Sequence, residues 1–266
     1  MNFTLITGAS GGIGESFARK FAALGHDLFL VARSEDKLSA LCRELSSLHN
    51  IKAEYMTLDL SAMGSAERLY AETTRRNLTV DTLINNAGIG VLGSFARSDL
   101  DRVLQMLSLN INAPAALTHL YLQDMRARKH GTIINVASTA AFQPVPYMAA
   151  YAATKSFVLS LSEALWEENR GSGVLVMALC PGVTDTGFFA AANPTGETKL
   201  PPMRITETPD AVVETALKGI NQRKFRIISG FVNQITARIS GIIPRRLLLK
   251  LIAGVMRREK SGRSGK

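Results

Sequence analysis

The first two-thirds of the chain alternate short apolar runs with longer segments of helical periodicity. The runs are apolar or β-branched and bounded by turn residues, as is typical of buried strands; they span 3–7, 27–32, 51–58, 82–85, 132–137 and 174–179. Helices are predicted between them, near 12–24, 35–48, 62–77, 97–128 and 148–169. Such alternation favours right-handed βαβ units, and therefore an α/β fold with a doubly wound parallel sheet and helices on both faces. Ligands of such sheets bind beyond the carboxyl ends of the strands.

The pattern changes after about residue 183. Residues 184–207 mix Gly, Pro, Asn and Thr with apolar residues, which predicts a mobile lid or loop. Thr208-Pro209 is typical of a helix start, and a helix to about residue 221 and a seventh strand at 225–229 follow. The 266 residues suit one catalytic domain, 1–230, with an extension at 231–266 predicted as two helices separated at Pro244.

The net charge of +9 belongs to the end of the chain. Residues 221–266 contain twelve Lys or Arg against one acid, so the other 220 residues sum to −2. A nucleic-acid-binding core is therefore not expected. The only cysteines, Cys42 and Cys180, are far apart, which argues against disulfides or a metal site and fits the reducing cytoplasm. Neither a signal peptide nor a membrane-spanning segment is expected.

A glycine-rich turn follows the first strand and opens the first helix. In residues 7–14 the spacing is Gly-x-x-x-Gly-x-Gly, from Gly8 through Gly12 to Gly14. Glycines there let the backbone approach a pyrophosphate, and the free amides of a helix N-terminus bind its charge. The alternative is a tight turn with no ligand.

Three further strand ends carry candidate cofactor residues. Arg33 and Ser34 follow the second strand, where a cation suits the 2′-phosphate of NADP and a carboxylate would suit NAD. NADP is therefore preferred over NAD, unless Arg33 only meets solvent. Asp59 ends the third strand, either beside an adenine or as a helix N-cap. The run 85–88 ends the fourth strand, where small and amide residues allow close approach of a ribose and also satisfy backbone groups.

A Tyr-x-x-x-Lys pair lies thirteen residues after a serine. Tyr151 and Lys155 are four residues apart and share one helix face, while Ser138 follows the fifth strand. A nearby cation favours the phenolate, which enables a tyrosine to exchange a proton at neutral pH. The alternatives are a helix-surface pair and a serine that satisfies a backbone group.

Taken in order, these motifs resemble the short-chain dehydrogenase/reductase family in its single-domain form, over residues 1 to about 230. The residues that carry the resemblance are 7–14, 85–88, Asn110, Ser138, Tyr151, Lys155 and 181–182. The family implies a Rossmann-type fold of about seven strands, a nicotinamide cofactor, and hydride transfer between that cofactor and a carbonyl or alcohol.

The resemblance also implies roles. Tyr151 is the general acid in reduction, Lys155 lowers its pKa and binds the nicotinamide ribose, and Ser138 bonds the substrate oxygen. Asn110 kinks a helix and holds a water, with Asn112 as the alternative. The turn 181–186 meets the nicotinamide. The predicted cofactor-binding set is Gly8, Ser10, Gly12, Ile13, Gly14, Arg33, Ser34, Asp59, Asn86, Ala87, Gly88, Tyr151, Lys155, Pro181, Gly182, Val183 and Thr186.

Candidate substrate residues come from the lid and from the loop before Tyr151. They are mostly apolar, and no Lys or Arg is placed to bind a carboxylate, which favours a neutral or lipophilic carbonyl compound; core packing is the alternative for each one. They are Ala140, Phe142, Val145, Tyr147, Met148, Phe188 and Phe189.

The extension contains a basic amphipathic helix. Its apolar residues recur at helical spacing: Leu247, Leu248, Leu251, Ile252, Val255 and Met256, beside Arg246, Lys250, Arg257 and Arg258. Such a helix packs on the domain, on a partner subunit, or on an anionic membrane surface through residues 231–260. By family habit, the helices 97–128 and 148–169 form the face of a homodimer or homotetramer.

Three functions remain open from the sequence. The leading one is an NADP-dependent oxidoreductase acting on an apolar ketone or secondary alcohol. A second is reduction of a 3-oxoacyl chain or a hydroxysteroid-type ketone. A third, from another class, is an NADP-binding sensor or scaffold recruited to membranes by its tail, against which the intact Ser138, Tyr151 and Lys155 argue.

Overall fold

Seven parallel strands form one sheet in the computed structural model, which describes residues 2–193 and 206–256. Their order across the sheet is β3-β2-β1-β4-β5-β6-β7. The chain therefore builds outward from β1 in one direction and then from β4 in the other, which opens a crevice beyond the carboxyl ends of these two strands. The strands are β1 Asn2–Thr7, β2 Asp27–Ala32, β3 Ala53–Thr57, β4 Thr79–Asn85, β5 Gly131–Val136, β6 Val174–Cys180 and β7 Arg226–Ile228.

Helices cover both faces of the sheet, as the alternating pattern predicts. One apolar core lies under α1, α2 and α8 and contains Phe17, Leu38 and Val212. The other lies under α3 and α5 and contains Leu69 and Leu117. The predicted Rossmann-type α/β fold is confirmed. The helices are α1 Gly12–Ala23, α2 Glu35–His49, α3 Ser65–Arg75, α4 Leu100–Leu107, α5 Ala113–Arg128, α6 Ala149–Glu168, α7 Phe188–Ala192, α8 Pro209–Asn221, α9 Phe231–Ser240 and α10 Arg245–Met256.

The helix predicted over 97–128 is interrupted. It consists of α4, a π-helical turn at Ser108–Asn112, and α5. Pro114 stands at the start of α5 and has no N–H to donate to the carbonyl of Asn110, so the α-helical hydrogen-bond pattern cannot continue through this point. Periodicity alone did not reveal the break because the apolar spacing runs on across it.

The extension folds back onto the catalytic domain. Leu248 and Met256 of α10 are buried, while Leu247 and Leu251 are more than half exposed. The predicted apolar stripe is therefore divided between an inner and an outer face. The predicted Arg257 and Arg258, like the lid residues 194–205, lie outside the described residues. Within the described ranges, no helix is both long and apolar enough to cross a bilayer.

Both cysteines are buried and unpaired. Burial raises the pKa of the Cys42 thiol and of the Cys180 thiol to about 12. A thiol with so high a pKa carries almost no thiolate at neutral pH and is chemically inert in the native state.

Candidate active site

Ser138, Tyr151 and Lys155 meet beyond the end of β5. Ser138 follows that strand, and the other two lie on the first turns of α6. The Ser138 hydroxyl accepts from the Ala140 amide at 3.1 Å and lies close enough to the Tyr151 hydroxyl to lower the pKa of that phenol. The Lys155 ammonium lies 5.8 Å from the centre of the Tyr151 ring and donates to the Val136 carbonyl at 2.8 Å. The reading of Tyr151 and Lys155 as a helix-surface pair is excluded, because both are buried.

Burial governs the ionisation of this group. It raises the pKa of Tyr151 to about 12, although the nearby Ser138 hydroxyl acts in the opposite direction. Burial also lowers the pKa of Lys155 to about 8, against a smaller opposing influence of Cys180. Burial is the main cause of the raised pKa of Tyr151, and the lowering by Lys155 that the family resemblance implies stays a prediction. At neutral pH Tyr151 is a protonated phenol and thus a proton donor.

The pH dependence of stability should reveal the buried ammonium. Because the pKa of Lys155 is about 8 in the folded chain, against 10.5 for a solvated lysine, the folded chain binds this proton more weakly than the unfolded chain. The ammonium therefore destabilises the fold below pH 8, and this penalty disappears as the pH rises to 10.5. Relative to wild type, Lys155→Met should lose about 3 kcal/mol of unfolding free energy between about pH 7 and pH 10.5.

Urea unfolding at the two pH values measures this change. Lys37→Met, on the exposed start of α2, is the matched control and should show no such trend. A Lys155→Met curve parallel to wild type would contradict the burial of a charged ammonium.

Asn110 lies in the π-helical turn and joins three elements. Its side-chain oxygen accepts from the Ile89 amide at 3.0 Å, and its nitrogen donates to the Ile89 carbonyl at 2.9 Å and to Thr154 Oγ1 at 3.1 Å. It thus ties the loop after β4 to α6 beside Lys155. Asn112 is exposed, so the structure places Asn110 and not Asn112 at the site.

The glycine-rich turn is held from the end of β4. The Asn86 side chain donates to the carbonyls of Thr7 and Gly8 at 3.0 and 3.2 Å, and Thr7 Oγ1 accepts from the amides of Asn86 and Ala87 at 3.0 Å each. A Cβ on Gly14 would overlap the Gly8 carbonyl oxygen. Asn86, predicted to bind the cofactor, thus uses its side chain to fix the turn.

The cradle formed by this turn fits a dinucleotide phosphate. Helix α1 begins after Gly11 with no side chain capping its amides, so these donors are available to an anion. Gly12 has φ +56 and would carry a Cβ only 2.9 Å from the Thr186 methyl carbon. The predicted turns at 8–14 and 181–186 therefore face each other across a narrow space, with Ser10 and Ile13 in the first and Val183 in the second.

Arg33 and Asp59 lie at neighbouring strand ends. Arg33 is exposed after β2, and Ser34 stands at the N-cap position of α2 without a side-chain capping bond. Asp59 accepts from the Ser61 amide at 2.9 Å and from its hydroxyl at 2.7 Å. Burial raises the pKa of Asp59, but these bonds and the charge of Arg33 hold it below the usual value overall. Asp59 therefore stabilises a local turn, and the alternative of a helix N-cap is wrong because the N-cap of α3 is Gly64.

A polar cluster that the sequence did not reveal supports the turn after β6. The Glu207 amide donates to the Val183 carbonyl at 3.0 Å, while its carboxylate accepts from Ser229 Oγ at 2.7 Å and from Asn233 Nδ2 at 3.1 Å. A Cβ on Gly182 would overlap the Asn233 amide. Helix α9 of the extension is thus anchored to the predicted cofactor turn. No local spacing relates these residues, which come from three separate segments.

Asn233→Ala should weaken cofactor binding without removing catalysis. The change deletes the donor to Glu207 and a 2.8 Å bond to the Ser229 carbonyl, each worth about 1 kcal/mol. We expect the Kd for the dinucleotide to rise roughly 3- to 10-fold, with kcat nearly unchanged. Titration by protein fluorescence measures the Kd. Gln234→Ala, whose side chain bonds the Ile228 carbonyl instead, is the control; equal effects of both variants would refute the assigned contact.

An apolar wall surrounds Tyr151. The Phe188 ring centre lies 5.2 Å from that of Tyr151. Of the predicted substrate residues, Ala140, Val145, Tyr147, Met148, Phe188 and Phe189 belong to this cluster. Phe142 does not: it packs beside Val158 and Cys180, with the Arg226 guanidinium 5.2 Å from its ring centre. Residues that the sequence missed complete the wall, namely Leu92, Met106, Ile252 and Met256.

Comparison with known proteins places this geometry in a family. A sequence-family model described as short chain dehydrogenase matches residues 2–197. The very-long-chain 3-oxoacyl-CoA reductase of Homo sapiens is 28% identical over 266 residues, which cover 98% of this chain and 81% of that protein.

Solved structures agree in fold over almost the whole chain. A short-chain dehydrogenase from Sphingobium yanoikuyae in complex with NADPH superposes with a TM-score of 0.81 and 29% identity, over 99% of this chain and 100% of that one. A 7β-hydroxysteroid dehydrogenase superposes with a TM-score of 0.85 and 26% identity, over 95% of this chain and 96% of that one. A short chain dehydrogenase/reductase from Burkholderia phymatum in complex with NAD superposes with a TM-score of 0.78 and 25% identity, over 89% of this chain and 92% of that one.

The family model spans well over half of the chain, and the strand order and the crevice match a dinucleotide-binding sheet. The chain therefore belongs to the short-chain dehydrogenase/reductase family, and it is an oxidoreductase that acts on CH–OH groups with a nicotinamide dinucleotide.

Proposed function

We propose that the protein reduces neutral, apolar ketones with NADPH, or oxidises the matching secondary alcohols. The observation that carries this proposal is the pair of buried residues Tyr151 and Lys155, which lies beside Ser138 and is set in an apolar wall. The nicotinamide, when bound, supplies or accepts the hydride. The turn 8–14, the loop 86–88 and the turn 181–186 are the proposed holding residues, and their cradle fits a pyrophosphate.

The protein's own groups would handle the proton. The hydroxyls of Ser138 and Tyr151 present two neighbouring donors for one substrate oxygen. Tyr151, protonated at neutral pH, gives its proton to that oxygen as negative charge develops there. The phenolate left behind is stabilised by the Lys155 ammonium 5.8 Å from the ring centre. Asn110 holds Ile89 and Thr154 in place around this group.

The preference for NADP rests on the end of β2. Arg33 is exposed there, next to the Ser34 hydroxyl that makes no capping bond, and no acid lies between the end of β2 and Glu35. A guanidinium and a hydroxyl suit the 2′-phosphate, which a carboxylate would repel. The NADPH complex of the Sphingobium relative supports this choice.

Arg33→Asp tests the cofactor preference. Loss of a charge-assisted bond and gain of repulsion should raise the KM for NADPH roughly 10- to 100-fold and leave the KM for NADH almost unchanged. Steady-state kinetics with both cofactors measure the ratio. Arg43→Asp, an equally exposed arginine on α2, is the control. An unchanged NADPH/NADH ratio in Arg33→Asp would show that the phosphate binds elsewhere.

The substrate class follows from the wall around Tyr151. Its members include Met106, Met148 and Met256 beside Phe188, and methionine side chains adapt to apolar ligands of different shapes. NADPH oxidation across a panel of carbonyl compounds tests this. We expect lower KM values for apolar ketones than for keto acids of similar size; a preference for keto acids would contradict the proposal.

A 3-oxoacyl chain is the second candidate substrate. The similarity to a very-long-chain 3-oxoacyl-CoA reductase extends over 98% of this chain, and a long acyl chain suits the same apolar wall. Within the carbonyl panel, a 3-oxoacyl thioester turned over faster than simple ketones would favour this candidate.

We also propose that the protein is a cytoplasmic homo-oligomer. Free, buried cysteines suit a reducing compartment. Phe157 on α6 is 40% exposed, with Ala153 one turn before it, so this helix presents an apolar face to a second copy. Light scattering should give the mass of a dimer or tetramer.

A further inference from the structure

The two helices of the extension expose many large apolar side chains to solvent. In α9, Phe231 is 76% exposed, and Ile235 and Ile239 follow it at successive helical turns on the same side. Ile242, at 81%, lies between α9 and α10. We use the name tail face for the exposed sides of α9, of the connection 241–244 and of α10; the exposed apolar residues there are Phe231, Val232, Ile235, Ile239, Ile242, Leu247 and Leu251.

The tail face is also uniformly basic. Arg238, Arg245, Arg246 and Lys250 are exposed on the same two helices, and residues 231–256 contain no acid. These four cations give residues 231–256 a charge of +4, whereas the chain before residue 221 sums to −2. A partner for this surface must therefore offer both an apolar region and negative charge.

Helix α10 is held firmly from the other side. Leu248, Ile252 and Met256 face inward, and the last two belong to the apolar cluster around Tyr151. Arg245 and Leu249 also border a groove of about 510 Å³ against the loop 141–146 and α6. The outward residues are thus displayed by a helix with a fixed orientation, and burying them would not require α10 to leave the domain.

We propose that the tail face docks on an anionic lipid bilayer. Apolar side chains of an amphipathic helix enter the boundary between headgroups and acyl chains, while Lys and Arg attract acidic headgroups. A second copy of the chain is a poorer partner because two tail faces would bring like charges together. The inference goes beyond the reduction reaction and holds for any substrate of the site.

Co-sedimentation of the full chain with vesicles tests the proposal. Wild type should pellet with phosphatidylcholine vesicles that contain phosphatidylserine, much less with pure phosphatidylcholine, and progressively less as salt is added. The charge variant R238E/R246E/K250E should bind at least tenfold more weakly, and so should the apolar variant F231S/I242S/L247S. Both should stay folded by circular dichroism, because these residues are exposed.

Two control variants change exposed residues of the catalytic domain, outside the tail face. K37E/R43E/R68E changes the same charge, and L48S/M63S/L100S removes comparably exposed apolar residues; both should bind like wild type. Wild type that stays in the supernatant, or tail-face variants that pellet normally, would overturn the proposal. A tail-face variant that becomes monomeric in light scattering, with no vesicle binding by wild type, would assign the surface to a second copy. NADPH turnover of a water-soluble ketone, read separately, reports on the proposed reaction alone.

Discussion

Replacing Tyr151 by Phe is expected to reduce kcat for carbonyl reduction roughly 10²- to 10⁴-fold, the usual range for loss of a general acid. The substitution removes the hydroxyl that lies near Ser138 and leaves the ring beside Phe188. The apolar contacts of the site are therefore kept, and the effect should fall on kcat more than on KM. Steady-state turnover with NADPH and an apolar ketone measures the loss.

Two comparisons make the Tyr151→Phe result specific. NADPH binding, followed by fluorescence, should stay within a few-fold of wild type, because the glycine-rich turn is held by Asn86 and Thr7. Tyr55→Phe, on the edge strand β3, should retain full activity. Turnover by Tyr151→Phe close to that of wild type would refute its role as proton donor.

Gly14→Ala should cause a large loss of stability through a single methyl group. The new Cβ would overlap the Gly8 carbonyl oxygen and reach the Asn86 side-chain nitrogen, so the turn and α1 would have to separate. Overpacking of this kind costs about 1–3 kcal/mol. Because the displaced backbone also forms the phosphate cradle, NADPH affinity should fall together with the urea midpoint.

Gly11→Ala is the matched control for Gly14→Ala. It lies three residues earlier in the same turn, its φ of 172 is extended backbone, and a Cβ there meets no atom within 4 Å. Its unfolding free energy should stay within about 0.5 kcal/mol of wild type. If both alanine variants unfold at the same urea concentration, the close approach of Gly14 to Gly8 does not govern stability.

The fold was predictable because its strands are short apolar runs between amphipathic helices. Strand β2 was predicted at its observed bounds, Asp27–Ala32. Periodicity missed the break before α5 because it depends on one absent N–H at Pro114 in an otherwise continuous helical pattern, whereas the family resemblance implied a kink at Asn110. The inner and outer faces of α10 were merged into one stripe, since periodicity shows which residues are apolar and not what covers them.

The central residues of the site were predictable for a geometric reason. Tyr151 and Lys155 are on one helix face, and Ser138 follows the strand beside it. Contacts made by distant segments had no such local signal. The bond between Glu207 and Asn233 joins residues 26 apart, and Met256 reaches the Tyr151 cluster from α10. Phe142, for which core packing was the alternative, lies at the end of the short 3₁₀ turn Thr139–Phe142 and packs in another cluster.

The thiol of Cys180 is positioned to report local opening of the structure beside the active site. This buried thiol ends β6, directly before the Pro181 turn, and its pKa of about 12 leaves it unreactive while the fold is intact. An alkylating reagent can modify it only when this end of the sheet opens. The rate of Cys180 alkylation therefore reports how often this end of the sheet opens next to the reaction centre. A bound ligand that suppresses the opening should slow the alkylation, and the measurement needs no introduced label.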